Sequence, residues 1–141
     1  MRFSRLYVRA LLVSGVLAGA LVSASSCFAA QPECLNSAPT QLAMDECVGR
    51  SMKASDQKLN ETYHALLAKV SKSGADQLRK AQRAWLAWRD AQCEFNTMGT
   101  RGGSINSSMY GLCIDELTQE QTRRLDAQIR CKEGDLSCGA Q

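Results

Sequence analysis

Seven cysteines and a single histidine are the residues of this 141-residue chain that could support metal or redox chemistry. Structural zinc sites pair such residues at short, regular spacings. The sequence has no Cys-x-x-Cys pair, and His64 has no cysteine or aspartate at ligand or triad spacing. We therefore predict neither a metal site nor a thioredoxin-like redox centre.

Enzymatic chemistry also lacks its usual sequence signals. The chain shows no nucleophile paired with a base, no cluster of metal-ligating side chains and no glycine-rich phosphate loop. We therefore predict that the protein is not an enzyme and that it needs no cofactor. The chemistry that remains for the cysteines is disulfide formation, which requires an oxidising compartment.

The N-terminal segment has the layout of a secretory signal peptide. It starts with Arg2, Arg5 and Arg9, continues with an apolar run from Ala10 to Val22, and ends in small residues. That run is short for a membrane span, which needs about 20 residues. Residues 1–29 hold three basic and no acidic side chains, so the rest of the chain has 14 of each. The overall charge of +3 is therefore no indication of nucleic-acid binding.

A second interpretation of this segment concerns Cys27. Ala24-Ser25-Ser26-Cys27 resembles a weak bacterial lipobox, in which Cys27 would be acylated and would anchor the protein to a membrane. Cleavage after Ala29 would instead release the protein into the periplasm or the medium. Both alternatives give the same organisation: a signal segment at 1–29, a folded domain at 30–133 and a short tail at 134–141.

Six cysteines remain beyond the signal segment: Cys34, Cys47, Cys93, Cys113, Cys131 and Cys138. An even number in an exported domain of this size indicates three disulfides, although sequence alone does not distinguish the pairings. Proximity along the chain favours Cys34–Cys47, Cys93–Cys113 and Cys131–Cys138. Each of the first two would contribute about 3 kcal/mol in the chain-entropy model. The modest, alanine-rich apolar content makes that contribution important.

The composition of the exported part favours helices. Both prolines precede residue 40, valine and isoleucine are scarce, and helix-favouring residues are abundant. Thr40 is placed to cap a first helix, which should continue to a break at Ser73-Gly74. Its apolar positions recur at steps of three and four residues, from Val48 to Val70.

Two further helices follow in the same pattern. Ser73 to Asp76 matches a capping box for a second helix that should end near Thr97, and a third is predicted from about Ser108 to Cys131. The predicted buried stripe of the second helix is Leu78, Ala81, Trp85, Trp88, Gln92 and Phe95. The sequence therefore predicts an all-α fold, a three-helix antiparallel bundle stapled by disulfides.

Several motifs give the chain a family resemblance. They are Cys34, Thr40, Met44 and Cys47; Asp56-x-x-Leu59-Asn60-x-x-Tyr63; Leu78-x-x-Ala81-Gln82-x-x-Trp85-x-x-x-Arg89-Asp90-Ala91-x-Cys93; Gly102-Gly103-Ser104; and Cys113, Thr118, Arg123 and Leu125. With these motifs, residues 34–126 resemble the LprI-type lysozyme inhibitors, a group of small exported bacterial proteins. The resemblance implies an α-helical, disulfide-bonded envelope protein that inhibits lysozyme, and it supplies no catalytic residues.

Polar residues within these motifs share helix faces with apolar ones, which usually indicates a buried, mutually satisfied network. We expect Arg89 or Arg123 to pair with Asp56 or Asp90 between helices. The members predicted for this network are Asp56, Asn60, Gln82, Arg89 and Arg123. We favour a role of these residues in specifying the fold over a role in binding a ligand.

The polar loop before the third helix is the predicted partner-binding segment, since loops carry binding function more often than cores do. Its contact residues are Arg101, Gly102, Gly103, Ser104 and Asn106. Lysozyme hydrolyses glycosidic bonds with two carboxyl groups in a cleft, where an arginine and hydroxyl donors could exclude substrate.

The function expected from the sequence is therefore an exported envelope protein-binding module that occludes the cleft of lysozyme or a related peptidoglycan hydrolase. The alternative is a periplasmic adaptor, an immunity-like factor or a structural envelope protein with another partner. With either function the protein would be periplasmic or secreted. It would associate with a membrane only if Cys27 carries lipid.

Overall fold

The computed structural model describes residues 32–132, 134–136 and 138. The predicted signal segment at 1–29 and the predicted lipidation site Cys27 lie outside these residues. Three long helices make up most of the described chain: α1 at Gln41–Leu67, α2 at Lys72–Asn96 and α3 at Asn106–Ile129. Short 3₁₀ helices occur at Glu33–Ser37 and Met98–Thr100. No strand is present in this part of the chain, so the all-α prediction is confirmed.

The ends of the helices follow local capping chemistry. Thr40 caps α1 as predicted, because its hydroxyl accepts a hydrogen bond from the backbone N–H of Ala43 at 3.2 Å. The capping box predicted at Ser73 is wrong by two residues, since Ser71 is the cap and accepts from the N–H of Gly74 at 3.2 Å. Val70 packs on the apolar core, which places the turn before Ser71.

Among the described residues, no helix combines the length and the apolar composition that a membrane span requires.

Consecutive helices run antiparallel, so α1 and α3 are parallel to each other. Ser108 near the start of α3 donates a hydrogen bond to Asp45 near the start of α1. Beyond the end of α1, the ammonium group of Lys69 donates to the carbonyl of Ile129 at 2.9 Å. These contacts fix the parallel register of α1 and α3, which form the closest helix pair of the bundle.

Gly111 permits this close approach of α3 to α1. A Cβ atom at this position would lie 2.5 Å from Cγ1 of Val48 and 2.9 Å from Sδ of Met52. Those distances are far inside van der Waals contact, so a larger residue would push the two helices apart. Gly111 was not singled out from the sequence, because a glycine inside a helix normally signals only a weak position.

The apolar core lies in the half of the bundle away from the α2–α3 connection. Leu59, Leu66 and Leu125 are buried at its centre. Tyr63, Val70, Leu78, Trp85 and Ile129 pack around them. Leu59 and Leu66 lie within the apolar pattern from Val48 to Val70 that predicts the first helix.

The predicted buried stripe of α2 is partly wrong. Leu78 and Trp85 face the core, but Ala81, Trp88 and Phe95 are exposed. The face turned inward instead consists of Ala75, Leu78, Gln82, Trp85, Arg89 and Cys93. The helix is rotated because Arg89 finds partners on both other helices and Cys93 is bonded to α3.

The disulfides pair as chain proximity favours. Cys34–Cys47 fastens the first 3₁₀ helix to α1, and Cys93–Cys113 joins the end of α2 to α3, with Cα atoms 5.8 and 5.6 Å apart. Cys131–Cys138 closes a small loop after α3. The first two bonds lie at the end opposite the cluster of Leu59, Leu66 and Leu125, and both Cys47 and Cys93 are fully buried there.

The close α1–α3 contact predicts opposite effects for two glycine-to-alanine variants. Gly111→Ala should lower the free energy of unfolding by about 1–3 kcal/mol, because its Cβ overlaps Val48. Gly49→Ala in α1 has open space and should raise it by about 0.5–1 kcal/mol, since alanine favours helix. Urea denaturation measures both. A stabilised Gly111→Ala protein would contradict the close packing.

Candidate functional site

The predicted partner-binding loop lies at one end of the bundle, where α1 begins, α2 ends and α3 begins. We call this the loop end and define it as residues 40–48 and 93–111. Arg101, Gly102, Gly103 and Ser104 are exposed there. Asn106 is the first residue of α3 and is half-buried. The five predicted residues therefore lie on the turn that precedes α3 and on its first residue.

Backbone hydrogen bonds hold this turn in a defined shape. The N–H of Arg101 donates to the carbonyl of Met98 at 3.2 Å, and that of Gly103 donates to Thr100 at 3.0 Å. Gly102 has φ +80°, a left-handed conformation that favours glycine. The hydroxyl of Thr100 lies 2.9 Å from Oδ1 of Asn106 and thereby connects the two sides of the turn.

Polar contacts anchor the loop to α1 as well. Oδ1 of Asp45 accepts a hydrogen bond from the hydroxyl of Ser107 at 2.9 Å and another from Ser108. Gln41 donates to the same carboxylate at 3.0 Å and to the Ser108 hydroxyl at 2.8 Å. The start of α3, and with it the loop, is thus fixed on α1 by side-chain bonds as well as by the Cys93–Cys113 disulfide.

The loop end also exposes large apolar side chains. Most of the exposed large hydrophobic residues in the described chain belong to it: Leu42, Phe95, Met98, Ile105 and Met109. Of these five residues, Phe95 and Leu42 are the most exposed, with 69% and 68% of their surface accessible. Apolar side chains scattered over a surface are ordinary, but their concentration at one end of the bundle makes the loop end the candidate interaction surface.

Arg89 joins all three helices in the middle of the bundle. Its guanidinium donates to the hydroxyl of Thr118 on α3 at 3.1 Å and contacts the carboxylate of Asp56 on α1 at 3.4 Å. It also pairs with Asp90 at 2.9 Å and lies 5.3 Å from the ring centre of Trp85. The Arg89 side chain is only 12% exposed. It is therefore a structural hub, in line with the interhelical pairing expected from the motifs.

The predicted network is smaller than expected. Asn60 and Arg123 are exposed, and no hydrogen bond joins either of them to Arg89 within the described residues. Gln82 is buried on the same face as Arg89, and its Oε1 atom has no hydrogen-bond partner in the part of the chain that the structure describes. Helical spacing shows which of these residues share a helix face. It does not show which neighbouring helix offers them a hydrogen-bond partner.

Asp115 is the buried polar residue that sequence reasoning missed. Only 1% of its surface is exposed. Its carboxylate accepts hydrogen bonds from Ser51 at 2.7 Å, from Ser55, and from Gln119 at 3.1 Å. The sequence feature that could have indicated a buried acceptor is the pair Ser51 and Ser55. These two residues lie four positions apart on one face of α1 and supply two hydroxyl donors.

Metal-binding chemistry finds no support in the arrangement of side chains. Within residues 32–132, 134–136 and 138, no three His, Cys, Asp or Glu side chains are placed to hold an ion. His64 is exposed on α1 and contacts only the edge of the Tyr63 ring among aromatic groups, with centroids 5.5 Å apart.

Comparison with known proteins agrees with the motifs. The sequence model described as "Lysozyme inhibitor LprI" matches residues 34–125. An uncharacterized protein of Rhizobium meliloti (strain 1021) is 33% identical over 116 residues, which cover 73% of this chain and 83% of that protein. No solved structure matches the chain.

The hub role of Arg89 predicts a large stability effect. Arg89→Ala should lower the free energy of unfolding by about 2 kcal/mol, because the Thr118 hydroxyl loses its charged donor and α1 loses an ion pair. Arg79→Ala breaks only the exposed pair with Asp76 and should change it by less than about 0.5 kcal/mol. Urea denaturation measures the free energy of unfolding of both variants. Equal losses would contradict the central structural role of Arg89.

Asp45 predicts a dependence of stability on pH. Hydrogen bonds from Ser108 and then Ser107 hold the pKa of Asp45 below its ordinary value, although burial acts in the opposite direction. A lowered folded-state pKa means that this stabilisation is present above the unfolded pKa of about 3.9 and is lost as the pH falls through the folded value. Asp45→Asn should therefore lose less stability on acidification than the wild type.

Chemical denaturation at about pH 6 and at about pH 3 measures this difference. Ser108→Ala removes the main donor and should reduce the acid sensitivity in the same direction. An Asp45→Asn protein whose free energy of unfolding falls as steeply as that of the wild type would show that another group controls the acid response.

Proposed function

Because this chain belongs to the LprI lysozyme inhibitor family, we propose that it is an exported protein that blocks lysozyme or a related peptidoglycan hydrolase with its loop end. The family description implies inhibition through a protein partner and no catalytic activity. Three disulfides in a small domain are consistent with an oxidising compartment outside the cytoplasm. The signal-peptide layout of residues 1–29 supports the same location.

The observation that carries the proposal is the combination found at the loop end. Five large exposed apolar side chains lie at the same end as a turn that presents Arg101 to solvent. Protein interfaces typically combine apolar anchors with an arginine, and both types are frequent among the residues that dominate binding energy. The remainder of the described surface offers only Leu86, Trp88 and Leu136 as large exposed hydrophobic residues.

The chemistry of Arg101 fits a glycosidase cleft. Glycoside hydrolases generally place two carboxyl groups on either side of the bond that they cleave. Within the described residues no carboxylate lies within 4.0 Å of the Arg101 guanidinium, so its charge is available to a partner. A planar guanidinium binds a carboxylate through two parallel hydrogen bonds. Arg101 would thus occupy the position of substrate beside the catalytic carboxyl groups.

The fixed shape of the loop supports tight binding. The turn is held by backbone bonds to Met98 and Thr100 and by the Asp45 contacts of Ser107 and Ser108. A loop that is already ordered loses little conformational entropy when it binds, so more of its contact energy appears as affinity. The two disulfides at the loop end would preserve this shape outside the cytoplasm.

Long-range electrostatic attraction contributes little to this recognition. Beyond residue 29 the chain carries equal numbers of basic and acidic side chains. A protein without net charge gains no general steering towards a charged enzyme. Recognition by this inhibitor would therefore rest on the shape of the loop end and on local contacts such as that of Arg101.

A charge reversal in the loop tests the proposal. Arg101→Glu should weaken inhibition of lysozyme by at least about tenfold, because it places a carboxylate against the carboxyl groups of the cleft. Lys80→Glu makes the same change of charge on an exposed position of α2 outside the loop end and should leave inhibition unchanged. Clearing of cell-wall suspensions by lysozyme, followed as turbidity, measures the inhibition constants.

Deletion of Gly102-Gly103-Ser104 provides a second arm and should abolish inhibition while the helical circular dichroism signal is retained. Full inhibition by both loop variants would rule out the loop end. Wild-type protein that fails to bind any lysozyme at micromolar concentration would instead favour the alternative of another envelope partner, to be identified by pull-down from envelope extracts.

A further inference from the structure

A concave surface lies between α1 and α3, outside the loop end. This groove has a volume of about 370 Å³, and none of its lining residues comes from α2. Its polar lining consists of Ser51, Ser55, Lys58, Gln119, Thr122 and Arg123. The volume is within the range of roughly 300–1,000 Å³ that is usual for small-molecule sites.

The floor of the groove presents hydrogen-bond acceptors. The hydroxyls of Ser51 and Ser55 and the amide of Gln119 all donate to the buried carboxylate of Asp115. The hydroxyl of Thr122 donates to the carbonyl of Thr118 at 2.8 Å. A hydroxyl has a single hydrogen, so only its oxygen lone pairs remain for a ligand. A molecule on this floor can therefore donate hydrogen bonds to these hydroxyl oxygens, while the second N–H of the Gln119 amide remains for an acceptor on the ligand.

The rim of the groove carries positive charge. Lys58 on α1 and Arg123 on α3 are exposed, one on each helix of the pair. Arg123 has no carboxylate within 4.0 Å among the described residues. Lys58 has only an exposed pair with Glu61 at 3.6 Å, which solvent screens strongly. The rim therefore favours a negatively charged group.

We propose that this groove binds a small polyhydroxylated anion of the acidic-sugar class. The sugar hydroxyls donate to the oxygens of Ser51, Ser55 and Thr122, while the carboxylate or phosphate lies between Lys58 and Arg123. Simple anions cannot donate to the hydroxyl oxygens of the floor, and neutral sugars lack the charge that the rim attracts. Cations are repelled by the rim. This site is independent of the loop end and of lysozyme inhibition.

Titration with four probes tests the donor and charge requirements together. We expect glucuronate, glucose 6-phosphate or both to bind at least about tenfold more tightly than glucose and acetate. NMR chemical-shift titration of the complete exported chain measures binding in the millimolar range and identifies the Gln119 side-chain amide as a reporter. The two charged sugars distinguish a carboxylated from a phosphorylated ligand.

Matched substitutions locate the site. Arg123→Gln and Lys58→Gln should each weaken binding of the preferred sugar severalfold, whereas Arg124→Gln removes a neighbouring arginine that pairs with Glu120 and should have no effect. Loop-end variants should leave sugar binding intact.

The proposal is overturned by three results: neither charged sugar binds up to about 10 mM, glucose or acetate binds equally well, or Arg124→Gln weakens binding as much as Arg123→Gln.

Discussion

The docking of α2 against the other two helices depends on the guanidinium of Arg89. This group is almost buried, and an arginine stays charged at any physiological pH. Burial of such a charge is unfavourable unless hydrogen-bond acceptors surround it. Asp56 on α1, Thr118 on α3 and the neighbouring Asp90 supply those acceptors. Helix α2 therefore docks with the rotation and the axial position that place Arg89 between these acceptors. The same rotation turns Trp88 outward.

The bundle divides its stabilising interactions between its two halves. One half holds the apolar core around Leu59, Leu66 and Leu125. At the loop end Val48 is buried together with the disulfide cysteines Cys47 and Cys93, and this end is held by two disulfides and by the hydrogen bonds of Asp45. Covalent and polar fastening frees the apolar side chains of the loop end from a role in the core. A small protein can thus expose them for a partner without losing its fold.

The contact between α1 and α3 serves both proposed sites. Gly111 brings the helices close, and Asp45 and Asp115 accept hydrogen bonds across the interface in opposite directions, one from α3 and the other from α1. At the loop end this interface fixes the start of α3 and hence the proposed partner-binding loop. Further along, the bonds to Asp115 consume the hydroxyl hydrogens of Ser51 and Ser55 and leave the groove lined with acceptor oxygens.

Local sequence signals determined the elements of this protein. The cap at Thr40, the disulfides between neighbouring cysteines and the position of the glycine-rich loop each depend on residues close together in the chain. Tertiary structure alone decided which face of α2 is buried and that Asp115 lies inside. Helical spacing shows which residues share a face, but a polar side chain is buried only where another helix offers it a partner. Those partners are distant in sequence.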